Sequence, residues 1–245
     1  MTLPDTTAPA PSGPKRIPFV TDALRLARVL FSPTAVFEEQ REEPTFWIPW
    51  LVICILMLVM TTLNFPYTMQ MARLAAAAKG QPFPAAAEGM VRVTQYVAVP
   101  IVLLIFLLIT AGLMYVVLLA AGGEVRFKGL MTVAVFSGLL GVLQLVFMLI
   151  VWKLRERSGG LQTLADFQVS LGLDLLLPQD ASLGKFLDGV LRGISPISVW
   201  GLVITAIGVR TMERTSKAAA WTVAGVSFAL GLCFAGLGGI MQGGK

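Results

Sequence analysis

Five stretches of this chain pass without a single Asp, Glu, Lys or Arg: 44–72, 93–123, 129–152, 193–209 and 218–244. Each can hold an apolar helix of roughly 17 to 25 residues, the length that crosses the hydrocarbon core of a bilayer. No water reaches that core, so a spanning segment must satisfy its own backbone hydrogen bonds, as a helix or within a closed barrel. The runs are continuous in Leu, Val, Ile, Ala and Gly and lack the period-two alternation of barrel strands. The expected fold is all-α, a polytopic membrane helix bundle with five transmembrane helices plus interfacial amphipathic helices. The spans are expected at about 46–70, 94–121, 130–152, 194–209 and 218–241. With 56% hydrophobic and 13% charged residues, the composition excludes an ordinary soluble domain.

Three regions follow. Residues 1–16, rich in Pro, Thr and Ala, form an N-terminal tail expected to be disordered. Residues 17–44 read as amphipathic surface helices, and 45–245 as the five-helix transmembrane domain. In the first surface helix Phe19, Ala23, Leu26, Ala27 and Leu30 share one side, while Thr21, Arg25, Arg28 and Ser32 share the other. Ser32 followed by Pro33 starts a second helix, and Pro44 ends it. Trp47 and Trp50 then mark the headgroup level, as indole rings settle at membrane interfaces. Trp152 and Trp200 are read the same way at their span ends, with Arg25 and Arg28 as interfacial cations. No signal peptide is visible, because the first hydrophobic run begins near Phe46 without a small-residue cleavage pattern.

Orientation follows from Lys and Arg in the connections. A cytoplasmic N-terminus places ten of them inside and nine outside, which alone decides little. The connections EVRFKG and RTMERTSK are short and basic, whereas the other two are long, and long segments cross more nearly regardless of charge. That favours a cytoplasmic N-terminus in a cell membrane, inner or plasma; KLRER at 153–157 argues the other way. The net charge of +5 is spread over helix ends and forms no single patch, which points to anionic lipid headgroups and not to nucleic acid.

In the connection 153–192, Thr163, Asp166, Ser170 and Asp174 recur at spacings of three and four, predicting one amphipathic helix, with a second around Leu183–Leu191. Whether this region enters the membrane stays open. Along the last span Ser227, Gly231, Ala235, Gly239 and Gly243 stand four apart as a ridge of small residues. The ridge suits either close packing within the bundle or a homodimer seam. Asn64 and Gln144 are the costliest polar groups inside the spans and are expected to face the bundle interior, where they hydrogen-bond across helices.

The chain has no histidine, which removes Ser–His and Cys–His nucleophile activation and histidine metal sites. Neither a GxxxxGK[ST] nor a GxGxxG loop occurs, and no acidic residue lies at mid-depth in a span. Cys54 and Cys233 sit in no metal or redox spacing. No catalytic residue, cofactor or metal is expected.

RVLFSPTAVFEEQREEPTFWIP before the first span, GGEVRFKGLMTVAVFSGLLGVL across the second connection, and ISPISVWGLVITAIGVRTMERTSKAAAW from the fourth span to the fifth together resemble the Yip domain family. Its members are five-span membrane proteins first described as partners of Ypt/Rab GTPases. No DLYGP-type motif stands in this chain, so the resemblance is to bacterial-type members. It implies a five-span fold, a cytoplasmic N-terminus and no catalytic residues. The functional reading is a non-enzymatic membrane protein that organises other membrane proteins or lipids. A small-molecule or lipid transporter is the alternative, and it needs a continuous polar groove through Asn64 and Gln144.

Overall fold

The computed structural model describes residues 18–177 and 183–242. The expected disordered tail lies outside the described residues. Eight α-helices follow in order: α1 (Pro18–Arg28), α2 (Pro33–Gln40), α3 (Trp47–Ala78), α4 (Ala85–Ala120), α5 (Phe127–Arg157), α6 (Lys185–Gly193), α7 (Pro196–Glu213) and α8 (Lys217–Gln242). No strand occurs among the described residues. α3, α4, α5 and α8 are each long and apolar enough to cross a membrane. Over the fifth crossing expected at 194–209, α6 and α7 meet the same test only together, with a 62° bend between them, so the described residues hold four candidate crossings, or five if the bent pair is one.

Helix ends follow local chemistry. Pro33 and Pro196 open α2 and α7 where a missing N–H does no harm, and at α7 the Ser195 hydroxyl accepts from the Ser198 N–H. Gly80, Gly122 and Gly159 close α3, α4 and α5 at φ of 66°, 77° and 71°, the left-handed turn that glycine adopts without a Cβ clash. α7 closes differently. Arg214 takes φ 50° and ψ 33° there, a conformation costing an L-residue about 1–2 kcal/mol relative to glycine.

α5 is the central helix, and every residue from 129 to 136 is buried, as expected of a helix that is apolar on all sides. α3, α4 and α7 pack around it, α8 closes against α4 and α7, and α1 and α2 sit on α3 and α7. Pro66 and Pro100 each free the carbonyl four residues earlier, at Thr62 and Tyr96. Those two residues meet: Thr62 Oγ1 and Tyr96 Oη are 2.8 Å apart, joining α3 to α4 where both ladders are interrupted.

Several helices outrun the expected spans. α3 continues past residue 70 to Ala78 and α4 begins at Ala85 instead of 94, because a run of alanines favours helix and Arg73 pairs with Glu88 at 2.8 Å. At 1.5 Å per residue these helices are about 48 and 54 Å long.

The amphipathic helix expected over 161–178 is absent from its described part, 161–177. Two 3₁₀ turns stand there, Leu164–Phe167 and Leu173–Leu176. The polar spacing that suggested a helix serves the turns: Asp166 accepts from the Thr163 N–H at 2.6 Å, and Ser170 hydrogen-bonds Asp174. The Leu173 N–H also donates to the Ile194 carbonyl at 3.1 Å, drawing the segment onto the end of α6.

α6 lies against the C-terminal half of α8 with almost no space between backbones. A Cβ at Gly189 would strike the Ala235 carbonyl oxygen, and one at Gly239 would strike that of Lys185. Gly189→Val is expected to destabilise the protein by about 1–3 kcal/mol through overpacking. Thermal unfolding in detergent reads this, with Gly238→Val, which opens onto free space, as the control. Equal midpoints for the two variants would refute the contact.

Candidate functional site at the N-terminal end of the bundle

α1 buries Leu26 and Asp22 against the bundle, and Val29 just after it is buried too. The structure corrects the expected apolar side, since Ala27 is exposed and Val20, Leu24 and Phe31 point away from the protein. Arg25 and Arg28 both reach across to α2, Arg28 from a half-exposed position. Glu39 takes Arg28 Nη2 at 2.9 Å and Arg25 Nε at 3.1 Å, and Arg25 also holds Asp22 at 2.8 Å. The Arg28 guanidinium, aided by Arg25, lowers the Glu39 carboxyl below its ordinary range, against a smaller opposing effect of burial.

α2 is fastened by Phe37, which is fully buried. Its ring lies where a Cβ on Gly208 would be, 2.8 Å from that position, and meets Phe136 of α5 edge-on at 5.9 Å. Glycine at 208 lets a phenyl ring from the surface helix reach the α7 backbone.

Below this, Arg126 joins three connections. Its Nη1 donates to the Arg41 carbonyl at 3.1 Å, its Nη2 to the Met212 carbonyl at 2.8 Å, and its backbone N–H to Glu213 Oε2 at 2.8 Å. The Glu213 side chain is only 1% exposed. Its second oxygen occupies the space a Cβ on Gly129 would need. The α2–α3, α4–α5 and α7–α8 junctions therefore meet around one guanidinium and one buried carboxylate.

These junctions lie in the three segments that carry the family resemblance. The model of the Yip1 domain family matches residues 27–239, nearly the whole chain. The chain belongs to the Yip1 domain family. Searches of the curated proteins and of the solved structures found no match.

The tryptophans of this Yip1 domain protein divide. Trp47 is 60% exposed at the start of α3, half-buried Trp50 packs on it at 5.8 Å, and Trp200 is exposed on α7. Trp152 differs from the interfacial reading. It is 4% exposed and donates from Nε1 to the Phe167 carbonyl at 3.0 Å, stacked against Tyr67. The loop 161–170 folds over it, so its indole meets protein instead of headgroups.

Asn64 is buried and donates to the Met60 carbonyl of its own helix at 2.8 Å, while its Oδ1 has no partner among the described residues. Gln144 is exposed into a mainly apolar cavity of about 520 Å³ between α4, α5, α7 and α8. The cavity is also lined by Thr110, Ser137, Ser198, Thr205 and Ser227, but not by Asn64. The two amides are not brought together. Of the small-residue ridge, Ala235 and Gly239 lie against α6, Gly231 has open space, and Gly243 lies outside the described residues. Among the described residues no group of three or more His, Cys, Asp or Glu could hold a metal ion.

None of Glu39, Phe37, Gly208, Arg126 and Glu213 was expected as a site residue from the sequence. A signal existed for the first, because two basic residues on one short helix and two acids on the next, across a Ser-Pro break, can pair. Glu39 has a lowered pKa, so its contribution is fully present above the ordinary carboxylate range and is lost as pH falls through its lowered value. Backbone hydrogen exchange of α1 should therefore lose protection on acidification. Glu39→Gln should show a loss of about 0.5–1 kcal/mol already at neutral pH, with a smaller change on acidification. Identical protection in wild type and variant across the titration would refute the pairing.

Proposed function

We propose that this protein is a non-enzymatic organiser of membrane proteins or lipids, in which the helix bundle is the anchor and the α1–α2 module is the contact surface. The observation that carries the reading is the fixed posture of that module. Phe37 at Gly208 and the Arg126 bond to Arg41 hold α2 on the bundle. Val20, Leu24 and Phe31 are 50%, 60% and 86% exposed on the outer side. A catalytic surface needs an activated group, and a chain without histidine offers no Ser–His or Cys–His pair. The transporter reading needs a polar path through Asn64 and Gln144, and their separation removes its main support.

The cytoplasmic N-terminus in a cell membrane is part of this reading. Arg126 and Lys128 in one short connection, and Arg214 and Lys217 in the other, stand at the end that carries α1 and α2, as cytoplasmic loops require. A homodimer through α8 would use the side of Leu237 and Ile240, since α6 already covers Ala235 and Gly239. Exposed Cys233 reports on that arrangement directly. Mild oxidation in membranes is expected to link two copies through it, and a monomer that never crosslinks would refute the seam.

The contact surface is tested by a photoreactive residue placed at Phe31 and, separately, at Lys217, followed by capture from native membranes. One protein partner recovered at both positions is the expected result. Labelling of lipid alone at both positions would overturn a protein-organising role.

A further inference from the structure

On the outer side of the α2–α7 contact lies a recess of about 340 Å³, lined by Thr34, Glu38, Arg41, Arg210, Thr211 and Arg214. Three arginines and one glutamate line it, and Arg41 and Arg214 also border a neighbouring recess beside Glu42, Glu124 and Glu213. Among the described residues neither Arg210 nor Arg214 has a hydrogen-bond or ion-pair partner, and the Thr34 and Thr211 hydroxyls have none. Arg41 is half-occupied: its Nη2 reaches exposed Glu42 at 3.5 Å, while its Nε is buried without any acceptor. A buried donor with no acceptor is costly, and it is satisfied when an acceptor enters beside it.

The backbone adds an independent observation. Arg214 occupies the left-handed position that closes α7, where glycine closes α3, α4 and α5. The sequence accepts local strain there and gains a guanidinium at the recess. Strained residues of this kind gather at ligand clamps. Planar guanidiniums with hydroxyl donors between them match phosphate oxygens, which accept bidentate charge-assisted bonds.

Position decides the source of the phosphate. Arg41 precedes the interfacial Trp47 by six residues, and Arg214 precedes Trp221, exposed on α8, by seven. The recess thus opens at the level where lipid headgroups lie. We infer that it binds the phosphate of an anionic membrane lipid, clamped between Arg41 of the surface module and Arg210 and Arg214 of α7. The lipid then bridges module and bundle from outside, where Phe37 joins them from inside. This goes beyond the organising role proposed above by naming one lipid chemistry and its site, and it stands whether or not a protein docks on the α1–α2 surface.

The test is thermal unfolding of the purified full chain in neutral detergent, followed by tryptophan fluorescence, with added phosphatidic acid, phosphatidylcholine or inorganic phosphate. Phosphatidic acid is expected to raise the midpoint by about 5–10 °C at roughly a hundredfold excess over its Kd. Phosphatidylcholine and inorganic phosphate should leave it within about 1 °C on the same scale. Arg210→Gln should abolish the rise. Arg214→Gly is expected to raise the lipid-free midpoint by relieving the left-handed residue while losing the response to lipid, a combination that a purely structural arginine does not give. Arg92→Gln, at the opposite end of the bundle, should keep the full response. Retention of the response in both recess variants, or an equal response to phosphatidylcholine, would overturn the site. A response to inorganic phosphate without one to phosphatidic acid would overturn the assignment to lipid.

Discussion

One guanidinium organises the end of the molecule on which the surface helices sit. Arg126 has its hydrogen bonds divided among Arg41, Met212 and Glu213, so the chain before α3, the start of α5 and the end of α7 cannot move independently. Glu213 is nearly inaccessible and is held by the Arg126 backbone N–H, with the guanidinium 4.0 Å away, so losing that charge would leave a buried acid without compensation. The arrangement requires Gly129, because any larger residue would displace the carboxylate. Phe37 in the notch at Gly208 then adds an apolar lock above the polar one, and α1 follows through its ion pairs to Glu39.

The all-α class and the membrane-crossing helices were legible because the bilayer leaves so few solutions: a long uncharged stretch has little choice but to be a helix. Boundaries were less legible. Nothing in Leu74–Ala78 stops a helix once it has left the hydrocarbon, so α3 runs on until Gly80 turns it. The segment 161–178 misled for a different reason. Polar residues three and four apart are the signature of a helix face, but the same spacing serves an Asp that reaches back to a Thr three residues earlier, and tertiary bonds from Trp152 and Arg155 favoured the turn.

The candidate site was the least visible part. Its components come from three stretches separated by some eighty residues each, and none is unusual alone: a Phe on a short helix, a Gly in a span, an Arg in a loop, a Glu at a helix end. Periodicity reports on what one element does within itself. It carries no signal for a glycine whose role is to admit a ring from another helix. The resemblance to a known family did draw together these segments, but without their geometry.

The helices of the bundle are unequal in length. α3 and α4 are about 48 and 54 Å long, whereas α7 has 18 residues and spans about 27 Å, shorter than the hydrocarbon of an average bilayer. The remaining distance is left to α6, which leaves the α7 axis at 62° and lies beside α8 instead of continuing across. The lipid beside α7 must thin locally, which costs a fraction of a kcal/mol per ångström. A thinner membrane removes that cost and a thicker one raises it, so the short helix gives the protein a preference among membranes by thickness, independent of any partner it binds.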